Sequence, residues 1–158
     1  MKKKPKILIS GWYGNNNVGD ETILLGMIQS IREQIPNADF LVFSDDPNFT
    51  KNNYRVKSFF QWPHRVQRGL LAILSLFFWI YFLQLIMIIK NSDLFILGGG
   101  GLFQHTNFGV IPFWLSKLAL AQLFRKPTVI YAIGIGLNHR KMDKFLIRII
   151  ENRVKLLL

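Results

Sequence analysis

The stretch Ile7–Met27, ILISGWYGNNNVGDETILLGM, decides the fold of this 158-residue chain. Lys6 to Ser10 has the continuous apolar pattern of a short buried strand. It runs into a loop that holds Gly11, Gly14, Gly19 and three consecutive asparagines, Asn15, Asn16 and Asn17. From Asp20 to Ile35 the apolar residues Ile23, Leu24, Met27, Ile28, Ile31 and Ile35 recur at helical spacing, and Pro36 follows as a stop. The loop is therefore a glycine-rich turn from strand to helix. Such turns usually welcome anions, yet this one places two carboxylates, Asp20 and Glu21, at its mouth.

Working outward, the same alternation repeats. Ala38–Ser44 (ADFLVFS) reads as a second strand and Tyr54–Phe59 (YRVKSF) as a weaker third. Asp93–Gly101 (DLFILGGGG) is a strand ending in four glycines, and Ile111–Phe124 is a helix with Pro112 near its start. Pro127–Gly136 (PTVIYAIGIG) is a strand ending in Gly134 and Gly136, and Met142–Leu157 is read as a last helix. Most strands are continuously apolar, which requires cover on both faces. The expected class is α/β, with a mostly parallel sheet between layers of helices.

The composition fits one domain with a substantial core, since half of the residues are hydrophobic. The net charge of +11 comes partly from MKKKPK at the start and partly from the last twenty residues. It suits an anionic partner such as a membrane surface or a phosphorylated substrate, and equally a soluble protein with solvated lysines. There is no cysteine, so disulfides, thiolate catalysis and cysteine-type zinc sites are excluded, and no metal site is expected. The basic start lacks the apolar core of a signal peptide, and a cytoplasmic protein is expected. Aromatic residues at 77–79 and 82 suit a core or an interface better than base stacking, so nucleic acid is not an expected partner.

Leu70–Ile89 holds twenty residues without a charge. As a helix it would be ~30 Å long, enough to cross a bilayer. A crossing would put the glycine loops before and after it on opposite sides of the membrane and split one sheet in two. The expectation is a helix packed on the sheet, touching a membrane or a partner domain. On the last helix Lys141, Lys144, Arg148, Glu151, Asn152 and Lys155 share a face, which reads as a solvated surface or as a dock on anionic lipid.

Three strands thus end in glycines, each before a helix: Gly11/Gly14/Gly19, Gly98 to Gly101, and Gly134/Gly136. In an open parallel sheet, ligands bind at the carboxyl ends of the strands. Glycines there serve either close backbone approach to a ligand or tight helix packing. The first loop lacks the Gly-x-Gly-x-x-Gly pattern of dinucleotide sites and the Gly-Lys-Ser/Thr of phosphate loops. Asparagines offer amide donors and acceptors, which suit hydroxyl-rich ligands such as sugars. Asp20 reads either as a helix cap or as a hydroxyl acceptor and base at the cleft, and Glu21 sits where the helix favours negative charge.

In this order and spacing, ISGWYGNNNVGDETILLGMI, DLFILGGGGLFQ and VIYAIGIG resemble the polysaccharide pyruvyl transferase family. The residues that carry the resemblance are Gly11, Tyr13, Gly14, Asn17, Gly19, Asp20 and Glu21, then Gly98 to Gly101, Leu102 and Gln104, then Gly134, Ile135 and Gly136. His105 and Leu137 depart from the family's usual Asp and Pro. The resemblance implies transfer of pyruvate from phosphoenolpyruvate, the donor substrate, onto two hydroxyls of a cell-surface or lipid-linked sugar. No separate cofactor is implied. It also implies a Rossmann-like domain, one half of a two-domain fold of the glycosyltransferase B type, with this chain as the N-terminal half and the donor-binding basic residues in a C-terminal domain. A lipid-linked acceptor would place the protein at the inner face of the cytoplasmic membrane.

Residue chemistry and resemblance together make Asp20 the catalytic candidate. The substrate-binding candidates are Gly11, Tyr13, Gly14, Asn16, Asn17, Gly19, Glu21, Gly98, Gly99, Gly100, Gly101, Gln104, His105, Gly134 and Gly136. The alternatives are half of a glycosyltransferase of the same fold, or an inactive fragment or membrane-bound binding domain.

Overall fold

The computed structural model describes residues 4–61, 76–103, 110–134, 144–145, 147–148, 154 and 156–157. Its strands are β1 (Lys6–Ser10), β2 (Asp39–Ser44), β3 (Lys57–Phe60), β4 (Leu94–Gly98), β5 (Thr128–Tyr131) and β6 (Leu156–Leu157). Its helices are α1 (Val18–Gln34), α2 (Pro47–Tyr54), α3 (Leu76–Lys90) and α4 (Val110–Leu123). The strands form one sheet in the order β3-β2-β1-β4-β5-β6, and every pairing is parallel. This is the doubly wound Rossmann order, which reverses direction between β1 and β4.

The apolar strands are buried on both faces because their alternate residues point into two separate cores. Ile7, Ile9, Phe40, Val42 and Ile96 pack with Leu24, Met27 and Ile28 of α1. Leu8, Phe43, Phe95, Leu97 and Ile130 pack with Leu85 and Ile89 of α3 and with Trp114, Leu115 and Leu118 of α4. Each fully buried aliphatic side chain contributes about 1.5–3 kcal/mol, so these layers hold the sheet.

Three local expectations need correction. Helix α1 starts at Val18, two residues earlier than its apolar period, because Asn17 caps it through its side chain. Tyr54 ends a helix rather than beginning a strand: Asp46 accepts from the Phe49 amide and Pro47 opens α2. The last helix does not run to Leu157. Lys144, Phe145, Ile147 and Arg148 are helical, but Leu156 and Leu157 pair with Val129 and Ile130 as β6. The open edge of β5 offers Leu156 and Leu157 a backbone ladder that outweighs their helical preference. Of the basic face proposed there, Lys144 and Arg148 are exposed and the rest lies outside the described residues.

The first part of the uncharged segment, 70–75, lies outside the described residues, and α3 covers the remainder. The strands before and after it, β3 and β4, belong to one sheet and run parallel to their neighbours. Their carboxyl ends therefore lie at the same edge, as the topological argument requires. No helix among the described residues is long and apolar enough to cross a membrane. Helix α3 buries Leu85 and Ile89 and exposes Trp79, Ile80, Leu83 and Met87.

Candidate active site at the sheet switch point

The carboxyl ends of β1 and β4 flank the point where the strand order reverses, the place where ligands bind in this architecture. The loops there are tied together. The Tyr13 side chain is fully buried, and its hydroxyl donates to the Gly98 carbonyl oxygen at 2.6 Å. The Gly99 amide donates to the Tyr131 carbonyl at 3.2 Å, and the Gly134 amide to the Gly100 carbonyl at 2.8 Å. The three glycine-ended strands of the sequence thus share one hydrogen-bonded edge.

Contact dictates several glycines, Gly14 among them, whose added Cβ would lie 2.4 Å from the Asp46 amide nitrogen; two stand where the first and second loops meet. A Cβ on Gly11 would lie 2.0 Å from the Gly98 carbonyl oxygen. One on Gly100 would lie 1.9 Å from Oδ1 of Asp20, and Gly100 also has a left-handed φ of +63°. Backbone here meets backbone, or the acid itself, without room for a side chain.

Asp20 is not the cap. It stands three residues after the cap Asn17, on the stripe that continues through Leu24, Met27 and Ile28, and so faces inward. It is 5 % exposed. The Asn17 side-chain amide donates to Asp20 Oδ2 at 2.6 Å, while Asn17 Oδ1 accepts from the Gly19 amide at 3.2 Å. Burial, aided by the neighbouring Glu21 charge, raises the Asp20 carboxyl above its ordinary value. A buried acid with a raised pKa is equipped to hold or take a proton at the cleft.

Glu21 is occupied on both oxygens. Oε1 accepts from the Gly14 amide at 2.7 Å, and Oε2 accepts from the Tyr54 hydroxyl at 2.6 Å. It braces the loop against α2. Asn16 is exposed with a φ of +56°, a conformation that asparagine tolerates. Gly101 is exposed at the end of the second loop. Gln104, His105 and Gly136 lie outside the described residues. The acidic pair thus divides into a brace, Glu21, and a buried acid against the glycine loop, Asp20.

Sequence reading missed Gln61, Tyr54 and Lys117. Gln61 is buried after β3, and its amide donates to the Gly11 carbonyl at 2.7 Å. Its backbone carbonyl accepts from the Tyr81 hydroxyl and from Lys117. Lys117 carried a signal: it falls on the stripe of Trp114 and Ala121 in an otherwise uncharged helix. Gln61 and Tyr54 carried none. Beside the loop, α1 and α2 leave an open cavity of about 370 Å³ lined by Asn16, Val18, Glu21, Thr22, Leu25, Phe49 and Tyr54. That lining is apolar with a few polar groups and no cation, as suits a small neutral ligand.

A family model for polysaccharide pyruvyl transferase matches residues 17–157. No curated protein matches the chain. Among solved structures, the molybdenum cofactor binding protein from the phototrophic bacterium Rippkaea orientalis is similar at 16% identity with a TM-score of 0.49, over 99% of this chain and 90% of that one.

Proposed function

The chain belongs to the polysaccharide pyruvyl transferase family, and from that membership we propose that it supplies the acceptor side of pyruvate transfer from phosphoenolpyruvate to a sugar. The observation that carries this reading is Asp20, buried against Gly100 at the switch point with a raised pKa. Residues 11–21, 98–103 and 131–134 contain no Lys or Arg. A donor that carries both a phosphate and a carboxylate needs such side chains to hold them. We therefore assign donor binding to a second, C-terminal domain of a two-domain fold of the glycosyltransferase B type, and the neutral sugar to the loop described here.

In the proposed reaction an acid of the second domain protonates the methylene carbon of phosphoenolpyruvate, and positive charge develops at C2. A sugar hydroxyl oxygen bonds to C2 and gives its proton to Asp20. A second hydroxyl of the same sugar displaces phosphate from C2 and closes the cyclic ketal, its proton leaving with the phosphate. Asn16 and the cavity beside it orient the sugar; Asn17 fixes the Asp20 carboxylate.

The rival within the same fold is glycosyl transfer from a nucleotide-sugar. With the complete two-domain protein, phosphate release from phosphoenolpyruvate that depends on an added saccharide supports pyruvyl transfer. Nucleotide release from a nucleotide-sugar, with no phosphate released, refutes it. The exposed row Trp79, Leu83 and Met87 on α3 supports a peripheral contact with the inner face of the membrane, where a lipid-linked acceptor would lie. Cosedimentation with anionic vesicles, lost in Leu83→Glu, tests that contact; equal sedimentation of both proteins contradicts it.

A further inference from the structure

Lys117 is the one charged residue of α4, and it is 1 % exposed. Among the described residues no carboxylate forms an ion pair with it. Its ammonium nitrogen instead lies over three rings, 4.2 Å from the centroid of Phe113, 5.0 Å from Phe43 and 5.4 Å from Trp114. It also donates to the Gln61 backbone carbonyl oxygen at 3.4 Å.

Two routes lead from this nitrogen to the start of the first glycine loop. Through Gln61, whose side-chain amide holds the Gly11 carbonyl at 2.7 Å, it reaches Gly11. Through the Trp114 ring, 6.5 Å from the ring of Trp12, it reaches the next residue. We propose that Lys117 is a proton-linked positioning residue whose charge sets where Gly11 and Trp12, and with them the first glycine loop, sit.

The surroundings are built around a charge. Attraction between a cation and aromatic faces is strongest when desolvated, and it vanishes when the amine is neutral. Among the described residues, two buried polar atoms nearby, Asp45 Oδ1 and Trp114 Nε1, have no hydrogen-bond partner. The Asp45 carboxylate accepts from the Asn15 amide through Oδ2, and the Lys117 charge adds to its compensation, which a neutral lysine would remove. Burial pushes the Lys117 ammonium down to about 7, with the Asp45 charge pulling the other way. Among the described residues, the other titratable group beside it is Tyr81 of α3, whose hydroxyl shares the Gln61 backbone carbonyl. Burial and the Asp45 charge push Tyr81 upward, so it stays neutral while Lys117 titrates. Loss of the Lys117 proton therefore weakens both routes at once. The inference concerns loop position alone and stands or falls independently of the pyruvyl-transfer reading.

Nuclear magnetic resonance of the chain between about pH 5 and 9 tests it. The probes are the Gly11 and Gly14 amides, the Trp12 indole and the Lys117 Cε. All four are expected to titrate with one midpoint near 7. Lys117→Met should abolish the loop titration. Lys117→Arg, charged throughout, should hold the loop signals near their acid positions. A Lys117 Cε that stays flat below pH ~9, or loop signals with a different midpoint, such as that of a histidine near ~6.5, overturns the proposal. Loop titration that survives in Lys117→Met overturns it too. Should that variant fail to fold, the two midpoints in the native chain still decide.

Discussion

The Tyr13 hydroxyl donates to the carbonyl oxygen of Gly98 at 2.6 Å across 85 residues of sequence, joining the loops after β1 and β4 at the point where the sheet reverses. A fully buried phenol needs a partner, and this carbonyl provides it. Burial and the nearby Asp20 and Glu21 charges push the phenol upward, so it remains a donor at any ordinary pH. Tyr13→Phe should keep the ring packing and lose the bond. The expected cost is about 1–3 kcal/mol in denaturant unfolding, with faster hydrogen exchange at Gly98 to Gly101. An unchanged exchange rate would mean that the two loops are held together by other contacts.

Gly100 and Gly26 should respond in opposite directions to alanine. At Gly100 the new methyl collides with Asp20 and the backbone has a positive φ. The expected loss is at least about 2 kcal/mol, together with displacement of the acid. At Gly26, inside α1, an added Cβ meets nothing within 4 Å. There alanine should stabilise by about 0.5–1 kcal/mol through helix preference and reduced freedom of the unfolded chain. Thermal unfolding of the two variants checks both signs.

Lys117 has a stability signature separate from its effect on the loop. Its folded pKa of about 7 lies below the ordinary lysine value of 10.5. Between those values the unfolded chain binds the extra proton, so native stability rises with pH across the window. Lys117→Met lacks this slope. The stability difference between the two proteins should therefore shift toward the native chain by roughly 3–5 kcal/mol as pH rises from below 7 to 10.5. Parallel stability curves for the two proteins would show that the lysine is not desolvated.

The fold was legible because its signals are local and repeated. Continuous apolar strands such as ILI in β1 and FIL in β4 require cover on both faces, and each glycine end marks a turn into a helix. The helix at Pro47 escaped because its mean hydropathy is low and its cap, Asp46, sits in a polar run. Strand β6 escaped because Leu156–Leu157 fits a helix as well as a strand until β5 is seen beside it. In the site, the period of α1 already placed Asp20 on the buried stripe with Leu24 and Ile28, although a carboxylate at a helix start reads first as a cap. The roles of Gln61 and Tyr54 depend on partners 50 and 33 residues away. No local pattern encodes such pairs.

Asp20→Asn in the two-domain protein tests the central claim most directly, through acceptor-dependent phosphate release measured alongside unfolding. The Asp20 pKa is raised by burial, so its ionisation costs stability as pH rises through the folded value. Asparagine removes that cost while its oxygen can still accept from the Asn17 amide. The predicted result is turnover reduced at least about tenfold with stability at neutral pH equal to or above that of the native protein. Unchanged turnover with unchanged stability would contradict the account and leave Asp20 a packing residue of the glycine edge.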